Sequence, residues 1–264
     1  MLPWFRDGRF PLYLAPMAGY TDVVYRELCK RHGADVLVSE FVLADSLVYG
    51  SERSWEMVDF SAEQRPMGVQ IFGSSPAIMA DAGRAIAERL QPDFVDLNFG
   101  CPSEKVTGRD AGSSMLRNPT RLQQVAKSVV DALRPYRVPV TAKLRLGWDE
   151  RTIVARDVSM RLQAVGIEAL AIHGRTKAAG YRGEADWDAI DEAARAVDIP
   201  VIGNGSIGSA RDIRSVRRNT AVSGVMIGRA ALGYPWIFEE IKSTLETGHA
   251  PPPPGLEQRW NTLI

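Results

Sequence analysis

Short apolar runs alternate with segments of helical periodicity along almost the whole chain. Each apolar run stops at a polar or glycine-containing motif, and continuous runs of this kind are typical of parallel strands covered on both faces. The predicted strands, the last three written with their end motifs, are Leu12–Ala15, Asp35–Val38, Met67–Phe72, Phe94–Leu97, Val138–Lys143, Ala169–Arg175, Ile199–Gly205 and Gly224–Arg229. We therefore expect an α/β protein with a parallel sheet.

The segments between these strands carry the apolar spacing of amphipathic helices. They are Asp22–Arg31, Pro76–Arg89, Pro119–Leu133, Arg151–Ala164, Trp187–Ala196, Ser209–Arg217 and Pro235–Glu246. Eight strand–helix units in about 250 residues predict a (β/α)8 TIM barrel, in which active sites lie at the C-terminal ends of the strands. Residues Phe41 to Arg65 have no clear period, and we expect an extended loop with a short helix over the barrel mouth.

The composition permits one large domain. A chain of 264 residues with 45% hydrophobic content can bury a single core without disulfides. Its two cysteines, Cys29 and Cys101, cannot form a disulfide framework, and the first residues do not resemble a signal peptide. We expect a cytoplasmic protein with no membrane span. The three histidines lack metal-site spacing, so no bound metal is expected.

The formal net charge is zero, which by itself points to no nucleic-acid partner. One basic group follows the fourth to sixth strands and consists of Lys105, Arg109, Arg145, Arg175, Lys177 and Arg182. It could surround one side of the barrel mouth and meet phosphates, or it could be a set of solvated loop charges; both interpretations stay open. A second group lies in a predicted helix and is expected to face solvent: Arg211, Arg214, Arg217 and Arg218.

Glycines at the last two strand ends indicate an anion site. Gly203-Asn204-Gly205 and Gly228-Arg229 can bring bare backbone N–H groups close to an anion. The loops after strands seven and eight are the usual phosphate site of such barrels. The alternative is that these glycines only form tight turns, but their occurrence in both loops favours a phosphorylated ligand.

Three other strands end in polar side chains that would converge on a flat ligand: Gln70, Lys143 and His173. The first strand adds backbone and apolar surface from Pro16 to Ala18. A lysine stabilises the negative charge of a reduced flavin, and a glutamine can bond a pyrimidine edge as donor and acceptor. FMN fits this pattern, although each residue alone could also serve as a salt bridge, a satisfied polar group or a structural bond.

The motif Asp96-Leu97-Asn98-Phe99-Gly100-Cys101-Pro102 places a thiol at the end of the fourth strand. Gly100 and Pro102 force a turn there, so Cys101 is positioned to face a cleft. Most free cysteines are small buried hydrophobes, and this motif alone would favour that interpretation.

Together these motifs resemble the tRNA-dihydrouridine synthases, especially the bacterial B-type, nitrogen-regulation-like branch, over roughly residues 10 to 245. The cysteine motif and the Ala-Gly element after it separate this family from other FMN barrels such as dihydroorotate dehydrogenases. The matching segments are Leu14-Ala15-Pro16-Met17-Ala18-Gly19, Gln70-Ile71-Phe72-Gly73, Asn98-Phe99-Gly100-Cys101-Pro102, Ala111-Gly112-Ser113-Ser114, Lys143-Leu144-Arg145-Leu146-Gly147-Trp148, His173-Gly174-Arg175-Thr176, Asn204-Gly205 and Ile227-Gly228-Arg229-Ala230.

The resemblance implies an oxidoreductase in which NADPH reduces FMN and the flavin N5 then delivers a hydride to C6 of a uridine in the tRNA D-loop. Cys101 would be the general acid that protonates C5, so its pKa should not be strongly lowered. Substrate contacts would come from Asn98, Arg145 and Arg175. The residues expected to bind FMN are Pro16, Met17, Ala18, Gln70, Lys143, His173, Asn204, Gly205, Ser206, Gly228 and Arg229.

Two features depart from the family pattern. Ser206 stands where the family often has aspartate, and FMN binding should survive because that loop can act through backbone N–H groups. Family members also carry a helical tRNA-binding bundle after the barrel, whereas His249–Gly255 here leads only to a short tail. We expect a catalytic barrel in residues 1–248, then a proline-rich linker and the start of a truncated helical domain in residues 249–264, with a helix beginning in Gln258–Ile264.

Two other functions stay open on the sequence. An FMN barrel of this kind could reduce a free pyrimidine or a small enone instead of tRNA. The chain could also be a non-catalytic RNA-binding remnant, although the presence of Cys101, Lys143, Gln70 and Asn98 argues against that function.

Overall fold

The structure, a computed structural model, describes residues 2–263. Its strands are β1 Leu12–Leu14, β2 Leu37–Val38, β3 Val42–Leu43, β4 Met67–Phe72, β5 Phe94–Phe99, β6 Val140–Arg145, β7 Ala169–His173, β8 Val201–Asn204 and β9 Gly224–Ile227. They form one parallel sheet in the order β1-β9-β8-β7-β6-β5-β4-β2, and β3 pairs with the end of β4. Tyr13 bridges Val36, just before β2, and this contact closes the sheet into a barrel. The predicted (β/α)8 architecture is confirmed.

Helices alternate with the strands and also follow the last of them. They are α1 Val23–Arg31, α2 Ala44–Val48, α3 Glu52–Val58, α4 Pro76–Arg89, α5 Glu104–Thr107, α6 Pro119–Leu133, α7 Ala155–Ala164, α8 Trp187–Arg195, α9 Ala210–Asn219, α10 Ile237–Thr247 and α11 Leu256–Leu263. Short 3₁₀ helices occur at Pro3–Gly8, Ala62–Gln64, Gly112–Arg117, Arg134–Tyr136 and Arg229–Ala231.

The two longest helices, α4 and α6, span the predicted residues, because a capping side chain and a proline fix the first turn of each. Asn118 Oδ1 accepts a hydrogen bond of 3.0 Å from the N–H of Arg121, and Pro119 follows as the first helical residue. Ser75 and Pro76 play the same parts at the start of α4. Proline has no N–H to leave unpaired at this position, and its fixed φ suits a helix.

The region from Phe41 to Arg65 differs from the extended loop that the sequence predicts. It contains β3, α2, α3 and a 3₁₀ turn, and Trp55 is only 7% exposed within the outer core. Arg89 of α4 lies over the Trp55 ring at 4.5 Å, so α3 belongs to the helical wall rather than to a cover over the mouth. The elements have two to seven residues each, and such lengths are too short for a period to show in the sequence.

Apolar side chains form one core inside the barrel and another between the sheet and the helices. On β5 the alternation is clear, because Val95, Leu97 and Phe99 join the outer core while Phe94 lies inside. Trp4, from the 3₁₀ turn before β1, packs on Phe94 with ring centroids 5.4 Å apart and closes the barrel floor. The inward positions above Phe94 are polar, and they rise toward the C-terminal ends of the strands.

The end of the chain forms α11, which follows the run of prolines at 251–254. A helix here agrees with the prediction for Gln258–Ile264, of which Ile264 lies outside the described residues. The boundary between two domains at residue 248 stays a prediction. None of the helices within residues 2–263 combines the length and the apolar content needed to cross a bilayer.

Candidate active site

A cavity of about 940 Å³ opens at the C-terminal ends of the strands. It is lined by nearly all the residues that the sequence singles out: Pro16, Met17, Ala18, Asn98, Cys101, Lys143, Arg145, His173, Arg175, Asn204, Gly205, Ser206, Gly228 and Arg229. These residues come from six strand ends, and the parallel closed sheet brings them together.

Gln70 is the one predicted site residue that does not line this cavity. Its side chain is fully buried. The Nε2 group donates to Asp96 Oδ2 at 2.6 Å, and Oε1 accepts from Asn98 Nδ2 at 2.7 Å. The Gln70 side chain therefore lies within the barrel and is hydrogen-bonded to the neighbouring strand β5, and its predicted contact with FMN stays a prediction.

The turn that carries Cys101 is fixed from both sides. Asn98 Oδ1 accepts hydrogen bonds from the N–H groups of Gly100, at 3.1 Å, and Cys101, at 2.9 Å. The carbonyl of Cys101 accepts from the N–H of Ser113 at 3.1 Å and from its hydroxyl at 2.9 Å. Gly112, with φ +60°, lets the chain approach this closely, since a Cβ there would lie 2.8 Å from the Cys101 carbonyl oxygen.

The Cys101 thiol is half-buried at the cavity wall. Burial raises its pKa above the ordinary value, and the N–H of Ser103 and the charges of Arg145 and Lys143 oppose that shift without reversing it. The protonated thiol is therefore the favoured form near neutral pH, which suits proton donation and does not suit a nucleophile.

Arg145 lines the cavity, but its guanidinium is engaged with the protein. It is 2% exposed and donates to three main-chain carbonyls, those of Gly100 at 3.0 Å and of Thr176 and Gly180 at 2.8 Å. It ties the Cys101 turn to the loop after β7. These three bonds use Nε and Nη1, and the predicted substrate contact of Arg145 stays a prediction.

Arg175 has a similar position one strand further along. It is 5% exposed and donates to the carbonyl of Gly183 at 2.6 Å, to Ser206 Oγ at 3.1 Å and to His173 Nε2 at 3.2 Å. Sequence reasoning missed these bracing roles because the acceptors are mostly loop carbonyls, which leave no signature in side-chain chemistry. Neither Arg145 nor Arg175 is a solvated loop charge.

Lys143 and His173 line the cavity from the adjacent strands β6 and β7, and both have lowered pKa values. Burial, followed by the charge of Arg145, lowers the pKa of Lys143 from 10.5 to about 8, and its Nζ donates to Asn204 Oδ1 at 3.2 Å. Burial and the surrounding cations, Lys143 first, lower the pKa of His173 from 6.5 to about 2. The imidazole is neutral, and because Nε2 accepts from Arg175, its proton belongs on Nδ1.

Four backbone N–H groups, of Gly205, Ser206, Gly228 and Arg229, donate to no other group among residues 2–263. We call them the anion cradle. Ser206 has φ +55°, and Gly205 has φ +121° with its Cα so close to His173 that a Cβ would lie 3.0 Å from the ring. Unpaired N–H groups beside the exposed cation of Arg229 suit a phosphate.

Two exposed tyrosines at the mouth were missed by sequence reasoning. Tyr20 is 59% and Tyr181 57% exposed, and both line the cavity. Arg229 lies over the Tyr181 ring at 4.5 Å. The available signal was an aromatic residue in a polar loop directly after a strand. Within the described part of the chain, no group of three or more His, Cys, Asp or Glu side chains could hold a metal ion.

Comparison with known proteins finds a family model and relatives that all name the same family. A family model described as dihydrouridine synthase matches residues 13–263. A probable tRNA-dihydrouridine synthase from Aquifex aeolicus is 44% identical over 238 residues, which cover 90% of this chain and 74% of the relative. The tRNA-dihydrouridine synthase B of Pseudomonas putida is 42% identical over 253 residues, covering 96% of this chain and 74% of the relative.

Solved structures add evidence on the fold alone. Histamine dehydrogenase from Rhizobium sp. 4-9 superposes with a TM-score of 0.65 at 13% identity, covering 90% of this chain and 46% of that one. The structure of TcOYE with pHBA gives a TM-score of 0.64 at 11% identity, covering 96% of this chain and 93% of that one.

Proposed function

Because the chain belongs to the dihydrouridine synthase family, we propose that it reduces uridine in the tRNA D-loop to 5,6-dihydrouridine, with FMN as cofactor and NADPH as reductant. The observation that carries the proposal is the position of the Cys101 thiol, whose pKa is raised by burial, in the wall of the same cavity that contains the anion cradle. A phosphate-bearing cofactor and a proton donor are what this reduction needs. A tRNA-modifying role also favours the cytoplasm as the place where the enzyme works.

The residues fit FMN in size and in chemistry. A cavity of about 940 Å³ is large enough for a cofactor of this size. The anion cradle would hold the phosphate, and Lys143 would place its ammonium near the part of the ring that becomes negative on reduction. Neutral His173 would offer its Nδ1 proton, and Pro16, Met17 and Ala18 would pack along the ring. Bound FMN would supply the hydride chemistry between NADPH and C6 of uracil.

The proton for C5 would come from Sγ of Cys101. Its raised pKa keeps the thiol protonated. The turn is held in place because the Cys101 N–H donates to Asn98 Oδ1 and the Ser113 hydroxyl donates to the Cys101 carbonyl. Asn98 uses one of its two Nδ2 protons on Gln70, which leaves the second for the edge of a uracil base. The uridine must leave its stack to reach the cavity, and Tyr20 and Tyr181 offer aromatic faces at the entrance.

The reduction of a free pyrimidine or a small enone is a second candidate, because the cavity chemistry alone does not require RNA. A non-catalytic RNA-binding protein is a third. The three differ in what they do with FMN, NADPH and tRNA, so one assay separates them.

The test is to purify the chain, record its visible spectrum, and incubate it with NADPH and an unmodified tRNA transcript while dihydrouridine is measured by mass spectrometry. We expect a flavin spectrum and new dihydrouridine in the D-loop. Flavin that NADPH reduces without tRNA product, combined with turnover of uracil or an enone, would favour the second candidate. A colourless protein that takes up no FMN and still binds tRNA would favour the third.

A further inference from the structure

A partly exposed tryptophan, Trp148, holds two cations at the C-terminal end of the barrel. The guanidinium carbon of Arg117 lies 4.9 Å from the centre of its ring, and Lys177 Nζ lies 4.5 Å from the same point. Arg117 ends the 3₁₀ helix before α6, Trp148 follows β6, and Lys177 follows β7. We call these three residues the basic rim.

Main-chain hydrogen bonds fix the basic rim next to the cavity. The N–H of Lys177 donates to the Gly147 carbonyl at 3.0 Å, and the next N–H, of Ala178, donates to the Trp148 carbonyl at 2.9 Å. Arg145, which lines the cavity, donates to the main-chain carbonyl directly before Lys177 at 2.8 Å. The loops after β6 and β7 are therefore tied to each other and to the cavity wall, and the basic rim lies beside the mouth.

Neither cation of the basic rim has a carboxylate partner among residues 2–263. The neighbouring carboxylate of Asp149 accepts from the N–H of Arg151 and the hydroxyl of Thr152, within its own loop. Arg117 and Lys177 are no more than about 10 Å apart, which is the Debye length at 0.1 M salt, so their charges repel each other. An anion placed against the basic rim would relieve this repulsion.

The exposed cations continue beyond the basic rim, and this favours a long anion over a small one. Arg121, in the first turn of α6, donates from Nε to the Ser74 carbonyl at 3.1 Å, and Ser74 Oγ donates to the Arg109 carbonyl at 3.0 Å. Arg121 and Arg109 are both exposed. A small ligand typically binds in a concave pocket, whereas an exposed row of cations suits the successive phosphates of a nucleic acid.

We propose that the basic rim is a docking surface for the phosphate backbone of the tRNA, in which Trp148 holds the cations of Arg117 and Lys177 in position before the tRNA binds. This inference rests on the proposed function, because it takes tRNA as the macromolecule that reaches the mouth. Long basic side chains lose rotamer freedom when they bind a phosphate, and a ring that already restricts them reduces that loss.

The first test removes the two charges and keeps the ring. Arg117→Gln with Lys177→Gln is compared with Arg6→Gln with Arg218→Gln, which removes two exposed cations from the opposite end of the barrel. Affinity for a tRNA transcript is measured by fluorescence anisotropy over a series of salt concentrations. We expect the rim variant to flatten the plot of log K against log salt by about 1.4–1.8 and to bind about tenfold or more weakly at 0.1 M salt, and the control to change the slope by less than about 0.5.

The second test removes the ring and keeps both charges. We expect Trp148→Leu to bind tRNA about three- to tenfold more weakly with a slope within about 0.3 of the parent, because the same phosphates are neutralised by cations that are no longer held in place. Arg117→Lys keeps the charge and should also keep the slope. Unchanged affinity per folded molecule of Trp148→Leu, with the folded fraction measured by circular dichroism, would overturn the role given to the ring.

Flavin reduction by NADPH in the absence of tRNA is measured on the same FMN-loaded proteins, and we expect no variant to change it more than about twofold. Slower flavin reduction in the rim variant with tRNA affinity like the parent's would assign the basic rim to the phosphates of the reductant and overturn the inference. Equal binding by the rim and control variants would overturn it as well. A parent protein that makes no dihydrouridine but binds tRNA through the basic rim would contradict the proposed function alone, so the two failures are distinguishable.

Discussion

Cys101 and Cys29 are the two thiols of the chain, and their surroundings differ. Cys29 is fully buried in α1, and burial raises its pKa to about 12. Cys101 lies on a braced turn at the cavity wall. The residue type alone predicts a buried hydrophobe for both, so the position at a strand end was the informative part of the sequence.

Cys101→Ala is expected to keep bound flavin that NADPH reduces, and to lower dihydrouridine formation by about 10²-fold or more, as removal of a general acid does. Product is measured by mass spectrometry and flavin reduction by stopped-flow absorbance. The matched control is Cys29→Ala, which removes the other thiol from a packed core and should affect stability but not turnover per folded molecule. Normal product formation by the Cys101 variant would contradict the proposed proton donor.

The lowered pKa of Lys143 predicts that cofactor binding depends on pH. Its pKa of about 8 lies below the ordinary 10.5 because burial penalises the ammonium, and the negative charges of FMN favour the ammonium. Binding should therefore take up a proton near that pKa, and FMN affinity should fall as the pH rises through it. Calorimetry in buffers of different ionisation enthalpy measures the uptake. Lys143→Met should bind FMN more weakly with little pH dependence in this range, and an unchanged profile would remove the role given to Lys143.

At the scale of single elements, prediction succeeded where a local rule fixes the chain. Pro76 and Pro119 mark the starts of α4 and α6, and Gly205, with φ +121°, marks the turn after β8. It failed for Phe41 to Arg65, where pairing of β3 with β4 and burial of Trp55 decide the structure. These are contacts between distant residues, and a local period does not record them.

The Cys101 turn depends on Gly112, and this dependence can be tested by adding one methyl group. Gly112→Ala meets both the positive φ and a Cβ position 2.6 Å from Val106 Cγ1, whereas Gly50→Ala meets a positive φ with nothing within 4 Å. We expect Gly50→Ala to cost about 1–2 kcal/mol of unfolding free energy. Gly112→Ala should cost more and also slow uridine reduction. Thermal melts and product assays measure both, and equal effects of the two variants would show that the turn tolerates displacement.

At the scale of the whole molecule, the barrel could be predicted because the sequence shows the order of strands and helices. It shows this order even where it does not show the residues at which the elements begin and end. The distribution of charge could not be predicted, because the basic residues that follow β5, β6 and β7 differ in how far they are buried. Arg145 and Arg175 are buried braces, while Lys105, Arg109 and Arg182 are exposed at the mouth. Only the folded chain separates these two sets.

The exposed set predicts how tRNA affinity depends on salt. Replacing Lys105, Arg109 and Arg182 by Gln should weaken tRNA binding and flatten the plot of log K against log salt by about 0.7–0.9 for each phosphate that the protein no longer neutralises. The control is Arg218→Gln on α9, near the end of the helix where Arg217 lies over Phe10 and far from the mouth. An equal change from Arg218→Gln would show that binding does not centre on the mouth.

Side-chain packing at the floor of the barrel limits which substitutions this sequence can accept during evolution. A Cβ on Gly68 would lie 2.2 Å from the Phe94 ring, so the two residues share one volume inside the barrel. A larger side chain at 68 becomes acceptable only after 94 has become smaller, and the loss of the Phe94 ring would first leave Trp4 with a gap beneath it. The two positions are thus expected to change as a pair, with the order of the substitutions deciding which paths stay open.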